Sequence, residues 1–190
     1  VIALLPGSRL SEVTRHARLM LDAAVRVRRH HPDAQFVLPA ASEAAARLIR
    51  QAMQGLDLPL HLLDGQSHTA LAACDLALVA SGTATLEAAL FKKPMVITYR
   101  MPALTAYLMR KKALQPWIGL PNILARGFVV PERIQEAATA DNLAADALAW
   151  LDDAPRRRAT ADTFCTLHLN LRQDASARIA EALEPYLESA

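Results

Sequence analysis

Two segments of this chain, Leu4-Leu5-Pro6-Gly7-Ser8-Arg9 and Ala80-Ser81-Gly82-Thr83-Ala84-Thr85-Leu86-Glu87, are built alike. In each, an apolar run meets glycine, hydroxyl side chains and one charged residue, and a helical pattern then begins. The runs are continuous rather than alternating, which is the pattern of strands covered on both faces. Buried strands that pass directly into helices argue a doubly wound parallel sheet. Ligands bind such a sheet at its carboxyl edge. Helix N-termini there offer unpaired N–H groups to anions. Two junctions about 75 residues apart can face one crevice, a pattern suited to a phosphorylated ligand.

The rest of the first hundred residues keeps the rhythm. Strands are expected at Val1–Leu5, Gln35–Pro39, Leu60–Leu63, Asp75–Ala80 and Pro94–Tyr99. Pro94 suits the first position of its strand, where the missing N–H is tolerated. Helices are expected from Ser11, as a cap, to about His30, from Ser42 to about Gln54, near His68–Cys74, and over Thr83–Phe91. Beyond Tyr99 the pattern loosens. Leu104–Ala113 reads as an amphipathic helix and Trp117–Leu124 as a sixth extended segment. Asp141–Leu151 is a helix capped by Asp141, and the tail from Arg156 to Glu188 is helical with breaks near Asp174 and at Pro185. The domain reading is a Rossmann-like unit over 1–155 and a helical tail over 156–190.

A chain of 190 residues that is 53% apolar can bury a substantial core. No apolar run approaches the roughly 18 residues of a transmembrane helix. Val1–Leu5 lacks a basic segment before it and stops at Pro6-Gly7, so it reads as a strand rather than a signal-peptide core. The absence of an initiator Met and the start inside a strand suggest a piece of a longer protein. Net charge of +2 is too weak a bias for a nucleic-acid partner. Cys74 and Cys165 form no disulfide framework or metal motif, and both read as small core residues of a protein in a reducing compartment.

At the first junction, Gly7 permits a tight turn and close approach of a ligand. The N–H groups at Ser8 point toward the crevice, and Arg9 adds a fixed charge suited to a diphosphate. An ordinary turn with a surface arginine has the same sequence. This is neither a Walker A loop nor a GxGxxG fingerprint. At the second junction, Ser81, Thr83 and Thr85 surround Gly82, and Glu87 lies about one turn into the helix. A carboxylate there suits a neutral diol and can accept two hydrogen bonds from ribose hydroxyls. It is also what a helix dipole favours in a first turn. Arg100, at the end of the fifth strand, is either a second phosphate contact or a surface ion pair. His168 sits among Phe164, Leu167 and Leu171 at helical spacing and reads as packing.

These residues resemble a family. Leu5-Pro6-Gly7-Ser8-Arg9 with Glu12, His61-Leu62-Leu63-Asp64-Gly65, the Ser81–Glu87 segment, Pro94-Met95-Val96 with Tyr99-Arg100, Leu120-Pro121-Asn122-Ile123-Leu124-Ala125, and Phe164…Leu167-His168…Leu171-Arg172 occur in one order across nearly the whole chain. Together they are similar to the carboxyl-terminal half of the lipid-A-disaccharide synthases, GT-B-type glycosyltransferases. Arg133 departs from the pattern at a position that looks usually aliphatic.

The resemblance implies transfer of 2,3-diacylglucosamine from UDP to 2,3-diacylglucosamine 1-phosphate, with a β-1,6 bond formed and UDP released. It implies a UDP-sugar site made from Gly7, Ser8, Arg9, Ser81, Gly82, Thr83, Thr85, Glu87, Arg100 and Asn122, with Asn122 in Leu-Pro-Asn otherwise readable as a turn residue. No cofactor and no metal are expected, since Arg9 and helix N–H groups would neutralise the leaving diphosphate. The catalytic base and the acceptor surface would lie in an amino-terminal domain outside this chain, and the fragment alone would not transfer sugar. Acylated substrates imply a cytoplasmic location at the inner-membrane surface, and Leu104–Lys112 pairs apolar residues with three cations that can rest on anionic lipid. A homodimer is possible. Two other readings stay open: another GT-B enzyme, such as a UDP-N-acetylglucosamine epimerase or a peptidoglycan glycosyltransferase, and a non-catalytic nucleotide-binding module.

Overall fold

A computed structural model of the chain describes residues 1–103, 105, 106, 108 and 115–187. The core is a six-stranded parallel sheet in the order β3-β2-β1-β4-β5-β6. Its strands are β1 (Ile2–Leu5), β2 (Phe36–Ala40), β3 (Leu60–Asp64), β4 (Leu76–Ala80), β5 (Met95–Tyr99) and β6 (Glu132–Ile134). The central strands β1 and β4 are buried at every position, as their unbroken apolar runs require.

The helices are α1 (Leu10–His30), α2 (Glu43–Met53), α3 (Ser67–Ala73), α4 (Thr83–Leu90), α5 (Leu120–Ala125), α6 (Ala140–Asp152), α7 (Ala154–Leu171) and α8 (Ala175–Leu187). The chain runs one way across the sheet from β1 to β3 and the other way from β4 to β6. Right-handed crossovers therefore place α1 and α2 on one face and α4 on the other. α6 returns to pack on α1, while α4 is covered by α5 and α7.

The strand order reverses between β1 and β4, and there the register decides the site. Leu5 lies beside Val79, so Pro6-Gly7 and Ala80-Ser81 leave the sheet next to one another. Their helices diverge to opposite faces, which opens a crevice at the switch point.

The first hundred residues follow the sequence expectation within a residue or two at each boundary. Five details differ. Arg9, not Ser11, occupies the cap position of α1. Thr139 caps α6 by accepting a hydrogen bond from the Asn142 N–H at 3.2 Å, while Asp141 sits in the first turn and pairs with Arg26 Nε at 2.5 Å. The segment expected to be extended at Trp117–Leu124 contains α5, and the sixth strand is Glu132–Ile134 instead. Pro121 is compatible with that helix because it sits in the first turn, where its missing N–H costs nothing. The tail breaks at Arg172–Asp174, but α8 continues past Pro185. Most of Leu104–Ala113 lies outside the described residues. Cys74 is buried as expected, whereas Cys165 is exposed on α7.

Candidate functional site

A cleft of about 500 Å³ opens at the switch point. Gly7, Ser8, Arg9 and Glu12 line it from the first junction, and Ser81, Gly82, Thr83 and Glu87 line it from the second. Gly65, Gln66 and Ser67, from the turn between β3 and α3, add a third wall that the junctions alone did not reveal. Tyr99 closes the side next to β5.

The two helix starts differ in their electrostatics. The start of α1 is closed by its own side chain. Glu12 Oε2 accepts the N–H groups of Ser8 at 3.2 Å and Arg9 at 3.3 Å, and its Oε1 accepts from Arg9 Nη1 at 2.9 Å. Gly7 is needed for that closure: a Cβ on it would lie 2.4 Å from Glu12 Oε2. Its φ of 114° also favours glycine. So Gly7 makes room for Glu12, where the sequence argument had assigned that room to a ligand. Arg9 keeps an 80% exposed side chain despite its ion pair, and reaches into the crevice.

The start of α4 is open. Gly82, with φ 154°, precedes it and no side chain caps it. The Thr85 N–H donates to the Gly82 carbonyl at 3.1 Å, while the positive end of the helix dipole meets the cleft with no side-chain cap among the described residues. The hydroxyls of Ser81 and Thr83 flank this end. Thr85 does not join them: it is fully buried, and its Oγ1 donates to the Gly82 carbonyl at 2.7 Å. That bond shapes the junction from beneath.

Glu87 lines the cleft one turn further on, with its side chain 37% exposed. His68 Nε2 on α3 stands 3.4 Å from Glu87 Oε2, and the His68 ring packs on Phe91. This neighbour went unread because 19 residues separate it from Glu87.

Arg100 and Asn122 lie outside the cleft lining. The Arg100 guanidinium donates from Nη2 to the Ala138 carbonyl, and its backbone N–H donates to His16 Nε2 at 2.9 Å. Asn122 is fully buried. Its Nδ2 donates to the Val130 carbonyl and to Glu132 Oε1, both at 2.8 Å. Its Oδ1 accepts from the N–H groups of Val129 and Val130 at 2.9 and 3.0 Å. These bonds use the amide's full capacity. Asn122 therefore fastens α5 to the strand that follows, a place reached through Glu132 rather than through a ligand.

His16, which the sequence did not single out, connects the first junction to the end of β5. It is fully buried, stacks against Tyr99 at 5.3 Å, and accepts from Arg100. Burial pushes its pKa below the ordinary value of 6.5, against the opposing pull of the Glu12 and Pro6 carbonyls. His16 Nε2 accepts the Arg100 N–H, so it is not the nitrogen that carries a proton. Its only sequence signal is its position one turn after Glu12 on the buried stripe of α1.

Among the described residues no cluster of His, Cys, Asp and Glu side chains is placed to hold a metal ion. Among them, too, no helix is long and apolar enough to cross a membrane. His168 is part-buried on α7, with Nδ1 2.5 Å from Lys92 Nζ.

The chain's likeness to known proteins is consistent with this geometry. Residues 1–184 match the family model described as lipid-A-disaccharide synthetase. The chain is 75% identical over 190 residues to the lipid-A-disaccharide synthase of Thiobacillus denitrificans, covering all of this chain and 51% of that protein. It is 50% identical over 189 residues to the enzyme of Pseudomonas aeruginosa strain UCBPP-PA14, covering 99% of this chain and 49% of that one. The chain thus spans about half the length of the curated relatives it matches.

Solved structures share the fold at low identity. The UDP co-structure of Staphylococcus aureus MnaA superposes with a TM-score of 0.59 at 15% identity, over 85% of this chain and 40% of that one. The catalytic domain of cholesterol-alpha-glucosyltransferase from Helicobacter pylori does so with a TM-score of 0.55 at 16% identity, over 89% and 97%. The match over residues 1–184 and the high identity to curated relatives lead to one conclusion: the chain belongs to the lipid-A-disaccharide synthetase family.

Proposed function

We propose that this chain is the donor-binding half of a lipid-A-disaccharide synthase. The whole enzyme transfers 2,3-diacylglucosamine from UDP-2,3-diacylglucosamine to 2,3-diacylglucosamine 1-phosphate, forms a β-1,6 bond and releases UDP. The observation that carries the reading is the pairing, in one cleft, of an uncapped helix start with Arg9 and Glu87.

In this reading the diphosphate lies at the start of α4, beside Ser81 and Thr83. Helix N–H groups meet its charge from one side and Arg9 from the other. As the bond to the sugar breaks, negative charge grows on the leaving UDP, and these preorganised donors stabilise it. Glu87 accepts the ribose hydroxyls, a neutral diol that a carboxylate binds without opposing charge. The attack on the sugar is assigned to the other half of the enzyme, so no general base is named here. Work at the cytoplasmic membrane surface follows from acylated substrates and belongs to the same proposal.

Titration calorimetry with UDP tests the site. Wild type should bind, Arg9→Ala should lose affinity about tenfold through the phosphates, and Glu87→Gln should lose it through the ribose. Equal binding by all three proteins would sink the assignment.

A further inference from the structure

Glu12 is 9% exposed and sits where a bound anion would sit. It accepts the loop N–H groups of Ser8 and Arg9 and the Arg9 guanidinium. These are the donors a phosphate at this junction would use. The fit is close enough that position 7 admits only glycine without displacing the carboxylate. Among the described residues no side chain caps the start of α4, across the cleft.

We infer that Glu12 is an internal anion that competes with a ligand's phosphates for Arg9 and the first loop, and so sets how tightly the cleft holds a phosphorylated ligand. This rests on the reading of the cleft as a nucleoside-diphosphate site. The Arg9–Glu12 pair carries no net charge. Arg9 is exposed enough for its remaining N–H groups to reach a phosphate, but each bond it makes there loosens its hold on Glu12. Binding is an exchange of one anion for another. An enzyme that must release a nucleoside diphosphate after each turnover gains from such a competitor.

The competition has a signature opposite to that of a structural clip. Removing a clip weakens binding, whereas removing a competitor strengthens it, and only for ligands that carry phosphate. Glu12→Gln is the informative variant. Its side-chain oxygen still accepts the loop N–H groups, while its NH2 faces Arg9 as a donor and releases it. The crevice also gains one unit of positive charge.

The experiment titrates wild type, Glu12→Gln and the Arg9→Ala/Glu12→Gln pair with UDP, UMP and uridine. Glu12→Gln should bind UDP about five- to tenfold tighter than wild type, UMP tighter by a smaller factor, and uridine equally. The gain should vanish in the double variant. Glu12→Asp, one methylene shorter and unable to reach both partners, gives the second reading if the Gln variant does not fold: tighter UDP, unchanged uridine. A variant that binds UDP no tighter, or that shifts UDP and uridine alike, overturns the role of Glu12 and leaves the cleft assignment standing. A wild type that does not bind UDP overturns the cleft assignment and the competition with it.

Discussion

Arg133 on β6 donates from Nε and Nη2 to the two carboxylate oxygens of Asp146 on α6, at 2.6 and 2.7 Å. The paired bonds hold the guanidinium pKa above its ordinary value. They explain the charged residue at a position that the family resemblance expects to be aliphatic: the arginine has a dedicated partner, and the pair joins the edge strand to the helix behind it. Asp146 has a 15% exposed side chain and Arg133 a 36% exposed one. Arg133→Leu should therefore cost about 1–2 kcal/mol, between the value of a surface pair and that of a buried one. Urea unfolding of the variant measures it, and an unchanged midpoint would show that the pair contributes nothing.

Asn122→Ala should cost about 2–4 kcal/mol, because backbone groups of part-buried Val129 and buried Val130 lose their partner. Asn122→Asp should be worse near neutral pH. It would set a carboxylate against the Val130 carbonyl and Glu132 Oε1, with no donor for either. Part of the loss should return in acid, as the new carboxyl protonates. Thermal melts of both variants at two pH values test this, and an Asp variant as stable as wild type would refute the buried role.

Gly7→Ala should destabilise the chain by about 1–3 kcal/mol through backbone strain and overlap with Glu12. Urea unfolding measures the loss, and normal stability would mean that Glu12 moves aside freely.

His16 makes stability depend on pH in one direction. Its folded pKa is lowered, so in acid the unfolded chain takes up a proton that the folded chain resists. The contribution is complete above the unfolded value of 6.5 and is lost as the pH falls through the lower folded value. His16→Leu should flatten the unfolding midpoint between about pH 5 and pH 7. A variant whose midpoint falls as steeply as that of wild type would assign the slope to other groups.

The cysteines should differ in reactivity. Cys165 is exposed, while Cys74 is buried with its thiol donating to the Leu71 carbonyl at 3.4 Å. Burial pushes the Cys74 pKa above its ordinary value of 9.0, which keeps the thiolate scarce. A thiol reagent should modify one cysteine in the folded chain and the second only with unfolding. Rapid loss of both thiols would contradict the burial.

The centre of the sheet was legible in the residues because β1, β4 and β5 are nearly unbroken apolar runs, the pattern that burial on both faces leaves. The sixth strand was not. Glu132-Arg133-Ile134 is short and charged, and it is a strand only because Tyr99 and its neighbours offer an edge and Asp146 offers a partner. Asn122 was legible as a polar residue in a motif, but its surroundings were not, since its partners Val129, Val130 and Glu132 come from the loop and strand that follow.

The sequence by itself determined the doubly wound sheet, the two junctions, and the residue types suited to a phosphate and a sugar. Local periodicity and glycine placement are enough for that. Only the tertiary structure decided what each junction has left to offer a ligand. Pairing of β1 with β4 sets the junctions side by side, and helix geometry folds Glu12 back onto the first while leaving the second uncapped. The physical reason is hydrogen-bond accounting: donors that look equally free in the sequence are satisfied, or left for a ligand, by side chains whose reach depends on the folded backbone.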